Sequence, residues 1–296
     1  MEVIVCDKLT KKQRQMFTLK DLSLSIQENT IIGVIGRNGA GKTTLLKILA
    51  GLWRGSSGNV RVFGEDPFNS LRVSANTIYI SNEMVFPSSL SLSALLTEAG
   101  RFYPSWNDRI ARRLFDYFAF RSNDLYTQLS TGKRNTFNAI IGLSSRCPIT
   151  IFDEPTTGMD QAVRNDFYRA LLKDYLEVPR TILFSSHHLE EIEELLEYVL
   201  LLDKGKKQFY LPMDELKHEA IGLTGRTELI YTYIHGKTVI YRESMGADTT
   251  YVVVKANEVN MGKAKRLGIH VTPVSASDIC VYVTSSEKGG IDHVYQ

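Results

Sequence analysis

Cysteine is scarce. The three in 296 residues, Cys6, Cys147 and Cys280, are spaced too widely for a zinc pattern or a disulfide framework, which points to a reducing compartment. Charge of one sign is not in excess either. Lys+Arg 35 against Asp+Glu 33 leaves a formal +2, so composition carries no bulk basic footprint of a nucleic-acid binder. Long apolar runs are lacking: no stretch approaches the roughly 18 residues of a membrane span. The opening MEVIVCDKLTKKQRQ has no apolar core of a leader. Any membrane role therefore has to come through a partner. Internal repeats and low-complexity tracts are missing too, which excludes solenoids and linker-like chains. The rest is ordinary for a globular chain, 43% hydrophobic and 23% charged, in a length that suits one large domain or two smaller ones.

The most informative stretch is Ile31–Leu49, IIGVIGRNGAGKTTLLKIL. Ile31, Ile32, Val34 and Ile35 read as a short buried strand, and Leu45, Leu46, Ile48 and Leu49 as the apolar face of a helix. Between them Gly36-Arg37-Asn38-Gly39-Ala40-Gly41-Lys42-Thr43 matches G-x-x-x-x-G-K-[ST] in full. Glycines let the backbone curl so that successive N–H groups face phosphate oxygens, and the helix N-terminus adds its positive dipole end. Lys42 can then reach the β- and γ-phosphates, and the Thr43 hydroxyl can ligate Mg²⁺. This is the pattern of a nucleoside-triphosphate site.

Around it, Met1–Cys6 and the alternating Leu19–Ile26 read as strands joined by a loop, LTKKQRQMF. Val60–Phe63 and Thr77–Ser81 add two more strands. The stretch from about 90 to 145 is mainly helical, with Ile110, Leu114, Tyr117 and Phe118 on one face. Strands are expected at Ile149–Phe152, Thr181–Phe184 and Val199–Leu202, with a helix over Gln161–Leu176. Leu189–Tyr198 is amphipathic. Beyond about Lys217, TELIYTYI, TVIYRE, TTYVVVKA and ICVYVTS read as short strands of a small α+β appendage, with a hairpin at His235–Lys237.

The second half of the site is Asp153-Glu154, at the end of an apolar strand. Asp153 can hold Mg²⁺ beside the phosphate cradle, and Glu154 can orient or deprotonate an attacking water. That pairing suits hydrolysis. His187, just past another apolar strand, can contact the terminal phosphate, and His188 next door competes for the role.

Four motifs in this order, GRNGAGKTT at Gly36–Thr44, LSTGK at Leu129–Lys133, ITIFDEPTTGMD at Ile149–Asp160 and FSSHH at Phe184–His188, resemble the ATP-binding subunits of ABC transporters over about residues 1 to 215. The stretch FYPSWNDRIARRLFDYFAF before LSTGK is similar to the branch serving ABC-2-type bacterial exporters of antibiotics, peptides and peptide toxins. The resemblance implies an α/β fold: a RecA-like P-loop NTPase core with an antiparallel β portion and an inserted helical subdomain. Residues 1–216 would form the ATP-binding domain and 217–296 an accessory region. It further implies that Arg37, Asn38, Gly39, Ala40, Gly41, Lys42, Thr43 and Thr44 hold ATP, that Asp153 supports Mg²⁺ with Thr43, and that Glu154 is the general base. His187 would be the switch histidine and Asp160 the aspartate of the loop after the base. Ser130, Thr131, Gly132 and Lys133 would complete the site of the opposite subunit in a homo- or heterodimer. The expected partner is a separately encoded transmembrane permease, placing the chain at the cytoplasmic face of the membrane, with no nucleic acid involved.

Four positions depart from the family pattern. Thr131 and Lys133 stand where the signature has glycine and glutamine, and Lys133 adds positive charge near a phosphate. Asn82, or Glu83 beside it, replaces a glutamine expected after TIYIS, so its metal contact should run through water. The family's adenine-stacking tyrosine is missing, which leaves Phe17 as the candidate for that stacking or as a core residue. Two other readings are an ABC-type ATPase acting on ribosomes or nucleic acid, and a module that senses ATP without turnover. The single cassette argues against the first, and the intact Glu154 against the second.

Overall fold

A computed structural model describes residues 1–285, which form two compact units, 1–187 with 191–210 and 188–190 with 211 onward. The first unit opens with β1 (Glu2–Gln13), β2 (Met16–Gln27), β3 (Ile31–Ile35) and α1 (Lys42–Leu49). Next come β4 (Ser57–Val62), α2 (Leu71–Asn76), β5 (Thr77–Ser81), α3 (Leu92–Phe102), α4 (Asp108–Tyr117) and α5 (Thr131–Ser145). The unit closes with β6 (Ile149–Asp153), α6 (Gln161–Glu177), β7 (Thr181–Ser186), β8 (Tyr198–Asp203) and β9 (Lys206–Pro212).

Two sheets share these strands. One has the order β2-β1-β4 with antiparallel pairs, and the other runs β5-β6-β7-β3-β8-β9. In the second sheet β5, β6, β7, β3 and β8 pair in parallel. The strands β3, β6 and β7 are buried along their whole length, which is why they read as unbroken apolar runs instead of alternating ones. Parallel strands end together, so the carboxyl ends of β3, β6 and β7 set their following loops side by side. The segment LTKKQRQMF is not a loop. It continues β1 and β2 into a hairpin, because register shifts between Cys6 and Lys12 let the polar ends keep pairing.

The helical insertion is built on α5, buried from Asn135 to Ser145, against which α3 and α4 pack. Phe115, Phe120 and Tyr126 pack around Phe137, the completely buried ring of this cluster. Tyr117 does not join it: its ring is exposed and its hydroxyl donates to Asp166. Ser91, Asn107, Ser130 and Asp160 cap α3, α4, α5 and α6 with side-chain oxygens. Leu189–Tyr198 forms two short 3₁₀ turns at its start instead of a continuous helix. Behind the core, Asp174 is clasped by two arginines. Arg146 Nη2 donates to its Oδ1 at 2.6 Å, and Arg180 Nη2 lies 2.8 Å from its Oδ2.

The second unit comprises α7 (Met213–Leu216), β10 (Ala220–Arg226), α8 (Thr227–Ile234), β11 (Val239–Ser244), β12 (Thr249–Lys255), α9 (Met261–Arg266), β13 (His270–Pro273) and α10 (Ala276–Thr284). From β10 to β13 the order is βαββαβ, and the antiparallel sheet runs β11-β12-β10-β13, a ferredoxin-like arrangement. Two expected strands are helices. TELIYTYI forms α8, because Ile230, Tyr233 and Ile234 fall at helical spacing and are buried against Leu223 and Val252. ICVYVTS lies in α10, started by the Ser275 cap and buried through Ala276, Ile279 and Cys280. The turn at His235–Lys237 ends a helix, and the hairpin lies between β11 and β12, closed by the Met245 N–H on the Thr249 carbonyl. All three cysteines are free and buried. Burial pushes the thiols of Cys6 and Cys280 up to about 12 and that of Cys147 to about 11, which leaves them unreactive.

Candidate active site

The loop between β3 and α1 curls as the glycines allow. Gly41 takes φ 107°, and a Cβ there would meet the Thr18 carbonyl oxygen at 2.5 Å, so no larger residue fits. Lys42 opens α1 with its side chain almost wholly buried, and its ammonium donates to the Gly36 carbonyl at 2.7 Å. The same Nζ lies 3.2 Å from Glu154 Oε1, and Glu154 Oε2 lies 2.9 Å from His187 Nδ1. Lys42, Glu154 and His187 thus form one chain across the carboxyl ends of β3, β6 and β7. Glu154 holds a left-handed backbone, φ 49°, which turns its side chain off the line of β6.

Asp153 is 5% exposed and accepts two short hydrogen bonds, from Ser185 Oγ to Oδ1 and from the Tyr79 hydroxyl to Oδ2, each 2.6 Å. Ser185 Oγ also accepts from the Glu154 N–H at 2.9 Å. Burial first, and the Asp153 charge second, hold the Tyr79 phenol well above its ordinary range, so it remains a donor.

A cavity of about 490 Å³ gathers these groups. Arg37, Asn38, Gly39, Ala40, Gly41, Lys42, Thr43 and Thr44 line it, together with Asn82, Asp153, Glu154 and His187. Glu83 also reaches the cavity, but its carboxylate pairs with Lys47 at 2.6 Å, which leaves Asn82 as the uncharged polar group after β5. Phe17 is not core: its ring is half exposed, with the Lys12 and Lys20 ammoniums 5.5 and 5.9 Å from its centroid. Its neighbour Thr18 lines the cavity. Sequence reasoning missed Tyr79 and Ser185. The signal was strand register, since Ser81 and Ser185 pair with Asp153 on either side and Tyr79 shares the face of Ser81.

Ser130, Thr131, Gly132, Lys133 and Asp160 do not line this cavity. Exposed Ser130 accepts from the Lys133 N–H at 3.3 Å and starts α5. Gly132 packs on the loop after Glu154 so closely that a Cβ would meet the Gly158 carbonyl oxygen at 2.1 Å, and Asn135 donates to the Thr157 carbonyl at 2.6 Å. Lys133 does not aim its charge at an open anion site. Its ammonium donates to the Phe118 carbonyl at 2.8 Å and sits 4.9 Å from the Phe120 ring centre, joining α5 to the end of α4. Replacing Lys133 by methionine is expected to lower the unfolding free energy by about 1 kcal/mol, as read from urea denaturation.

The oxygen donors fit Mg²⁺. Among the described residues no group of three or more His, Cys, Asp and Glu forms a cage for a metal. One buried carboxylate, one hydroxyl and one amide at a phosphate cradle is the sparse set that suits an ion keeping its waters and sharing substrate phosphates.

Similarity to known proteins agrees with this geometry. The ABC transporter family profile matches residues 19–157. The ABC transporter ATP-binding protein YtrB of Bacillus subtilis is 30% identical over 203 residues, covering 69% of this chain and 70% of that protein. The chain belongs to the ABC transporter ATP-binding proteins. NatA of the same organism, another ATP-binding protein of this family, is 30% identical over 205 residues, 66% of this chain and 82% of NatA. The structure of an ATP-binding subunit of an ABC transporter superposes with a TM-score of 0.65 at 21% identity, over 73% of this chain and 92% of that one. A dimeric ATP-binding cassette holding ADP and Pi superposes with a TM-score of 0.61 at 18% identity, over 71% and 98%. These likenesses identify the fold as the ABC cassette. This cassette is therefore an ATPase and the motor subunit of an ABC transporter, a kind of subunit that works with transmembrane partners. No helix among its described residues is long and apolar enough to cross a membrane.

Proposed function

We propose that this cassette powers an exporter of the ABC-2 type, moving a peptide, toxin or antibiotic out of the cell from the cytoplasmic face of the membrane. The Lys42–Glu154–His187 chain beside the buried Asp153, in one cavity, supports the ATP-driven part of this reading, and the resemblance of FYPSWNDRIARRLFDYFAF to the ABC-2 branch supports export. Lys42 neutralises the carboxylate of Glu154. A bound γ-phosphate attracts Lys42, and Glu154 is released to take a proton from water while His187 keeps its other oxygen oriented. Thr43, Asp153 and Asn82 would hold Mg²⁺, which would neutralise phosphate charge. Backbone N–H groups of 37–44 cradle the phosphates, and Phe17, set beside Thr18, stacks on adenine.

Ser130, Thr131 and Gly132 sit at a helix N-terminus and meet the γ-phosphate bound by a second subunit, Lys133 holds that helix end to α4, and Asp160 lies at the seam. Two sites are then completed across a two-fold axis, and closure requires ATP in both. The helical insertion and the segment around Asn82 pass this closure to a separately encoded permease. Residues 1–216 serve as the ATP-binding domain, and 217–296 as an accessory region.

Affinity purification of the tagged protein from detergent-solubilised native membranes tests this role. The expected result is a multi-spanning membrane protein recovered in near-equal amount. Recovery with ribosomes or nucleic acid, and no membrane protein, would contradict it.

A further inference from the structure

We propose that Tyr79 is a positioning residue for Asp153, acting with Ser185 as a two-sided clamp that sets how tightly the site takes its divalent cation. The inference rests on the ATP-site reading above. The clamp spans three neighbouring strands. Parallel register places Ser81, Asp153 and Ser185 in one row across β5, β6 and β7, with Tyr79 one step back on the face of Ser81. A long side chain at that diagonal position reaches the Asp153 carboxylate, and the Tyr79 hydroxyl does so at 2.6 Å.

Each hydroxyl has a single proton to give. That of Tyr79 goes to Oδ2 of Asp153. Ser185 already accepts from the Glu154 N–H, so its own proton goes to Oδ1. An ionised carboxylate has about four acceptor sites, and the clamp occupies one on each oxygen. It leaves the other two free and fixes the plane of the group. Ser185 also ties the backbone of Glu154, so the acid that faces the metal and the base beside it are set by one hydroxyl. Outer hydrogen bonds of this kind orient a ligand before the ion arrives, and losing one typically weakens metal binding by roughly ten- to a hundredfold.

A purely architectural bond between strands makes a different prediction, because it disturbs nucleotide and metal alike. The test separates the two. Binding of a fluorescent ATP analogue is titrated in EDTA, and then Mg²⁺ is titrated at fixed analogue, for the unmodified full-length protein, Tyr79→Phe and Ser185→Ala. Tyr79→Phe keeps the ring and removes only the donor. The expected result is metal-free analogue affinity within about twofold and apparent Mg²⁺ affinity lower by about tenfold or more, with Ser185→Ala shifting the metal titration the same way. Unchanged Mg²⁺ titrations overturn the inference, as does a metal-free affinity that falls by the same factor as the metal affinity. If the unmodified protein binds no analogue under any condition, the ATP-site reading fails and this inference fails with it.

Discussion

Glu154→Gln is expected to slow ATP hydrolysis by about 10²- to 10³-fold while leaving ATP affinity within a few-fold of the unmodified protein. The amide keeps the size of the carboxylate but cannot take a proton from water. The rest of the cradle is untouched: Lys42 still reaches the Gly36 carbonyl, and Asp153 still holds its two hydroxyl bonds. The change also removes the negative partner that Lys42 faces at 3.2 Å, which frees the ammonium for the γ-phosphate. Binding should therefore hold or tighten as turnover falls. Phosphate release under saturating ATP, with nucleotide binding measured in parallel, checks both halves. Loss of binding together with turnover would show that Glu154 supports the fold of the loop, not the chemistry.

The second large effect is one of stability. Asp174 is 4% exposed at its side chain and lies between Arg146, at 12%, and Arg180, at 2%. Asp174→Ala leaves the fully buried Arg180 guanidinium without its counter-charge and Arg146 with only the exposed Glu177. Removing one partner of a buried ion pair costs about 3–5 kcal/mol, most of it the penalty for the charge left behind. Glu177 offers a control on the same helix. It lies 3.2 Å from Arg146, but its side chain is 57% exposed, so Glu177→Ala is expected to cost under about 1 kcal/mol. Urea unfolding followed through the first unit's transition distinguishes the two. Equal, small effects for both variants would mean that water reaches the arginines.

The parts of the molecule that were legible in the sequence are those where chemistry and local pattern agree. The phosphate loop needs glycines between an apolar strand and a helix, and the chain has them at Gly36, Gly39 and Gly41. Asp153 and Glu154 end a strand of unbroken apolar residues, Ile149–Phe152, which is how a buried parallel strand reads. The Tyr79–Asp153–Ser185 clamp was not legible, because it depends on which strands are neighbours and in what register. The role of Lys133 was misjudged for a related reason: spacing put its charge near a helix N-terminus, whereas tertiary packing turned it onto the Phe118 carbonyl. In the second unit, β-branched and aromatic residues in TELIYTYI and ICVYVTS favour strands by composition, and burial against the sheet at helical spacing overrode it. Gly222 and Gly225 hid β10 in turn, since glycine is rare in strands.

On the proposed reading, two copies of this chain close over ATP, each supplying Ser130–Gly132 to the other's phosphate. The most direct measurement is the mass of Glu154→Gln in solution by light scattering, with and without ATP, since this variant binds nucleotide without consuming it. The expected result is a monomer without nucleotide and a dimer with ATP, and a monomer again when Ser130 is also replaced by arginine. A monomer at saturating ATP, with nucleotide binding verified in the same sample, would contradict the shared site.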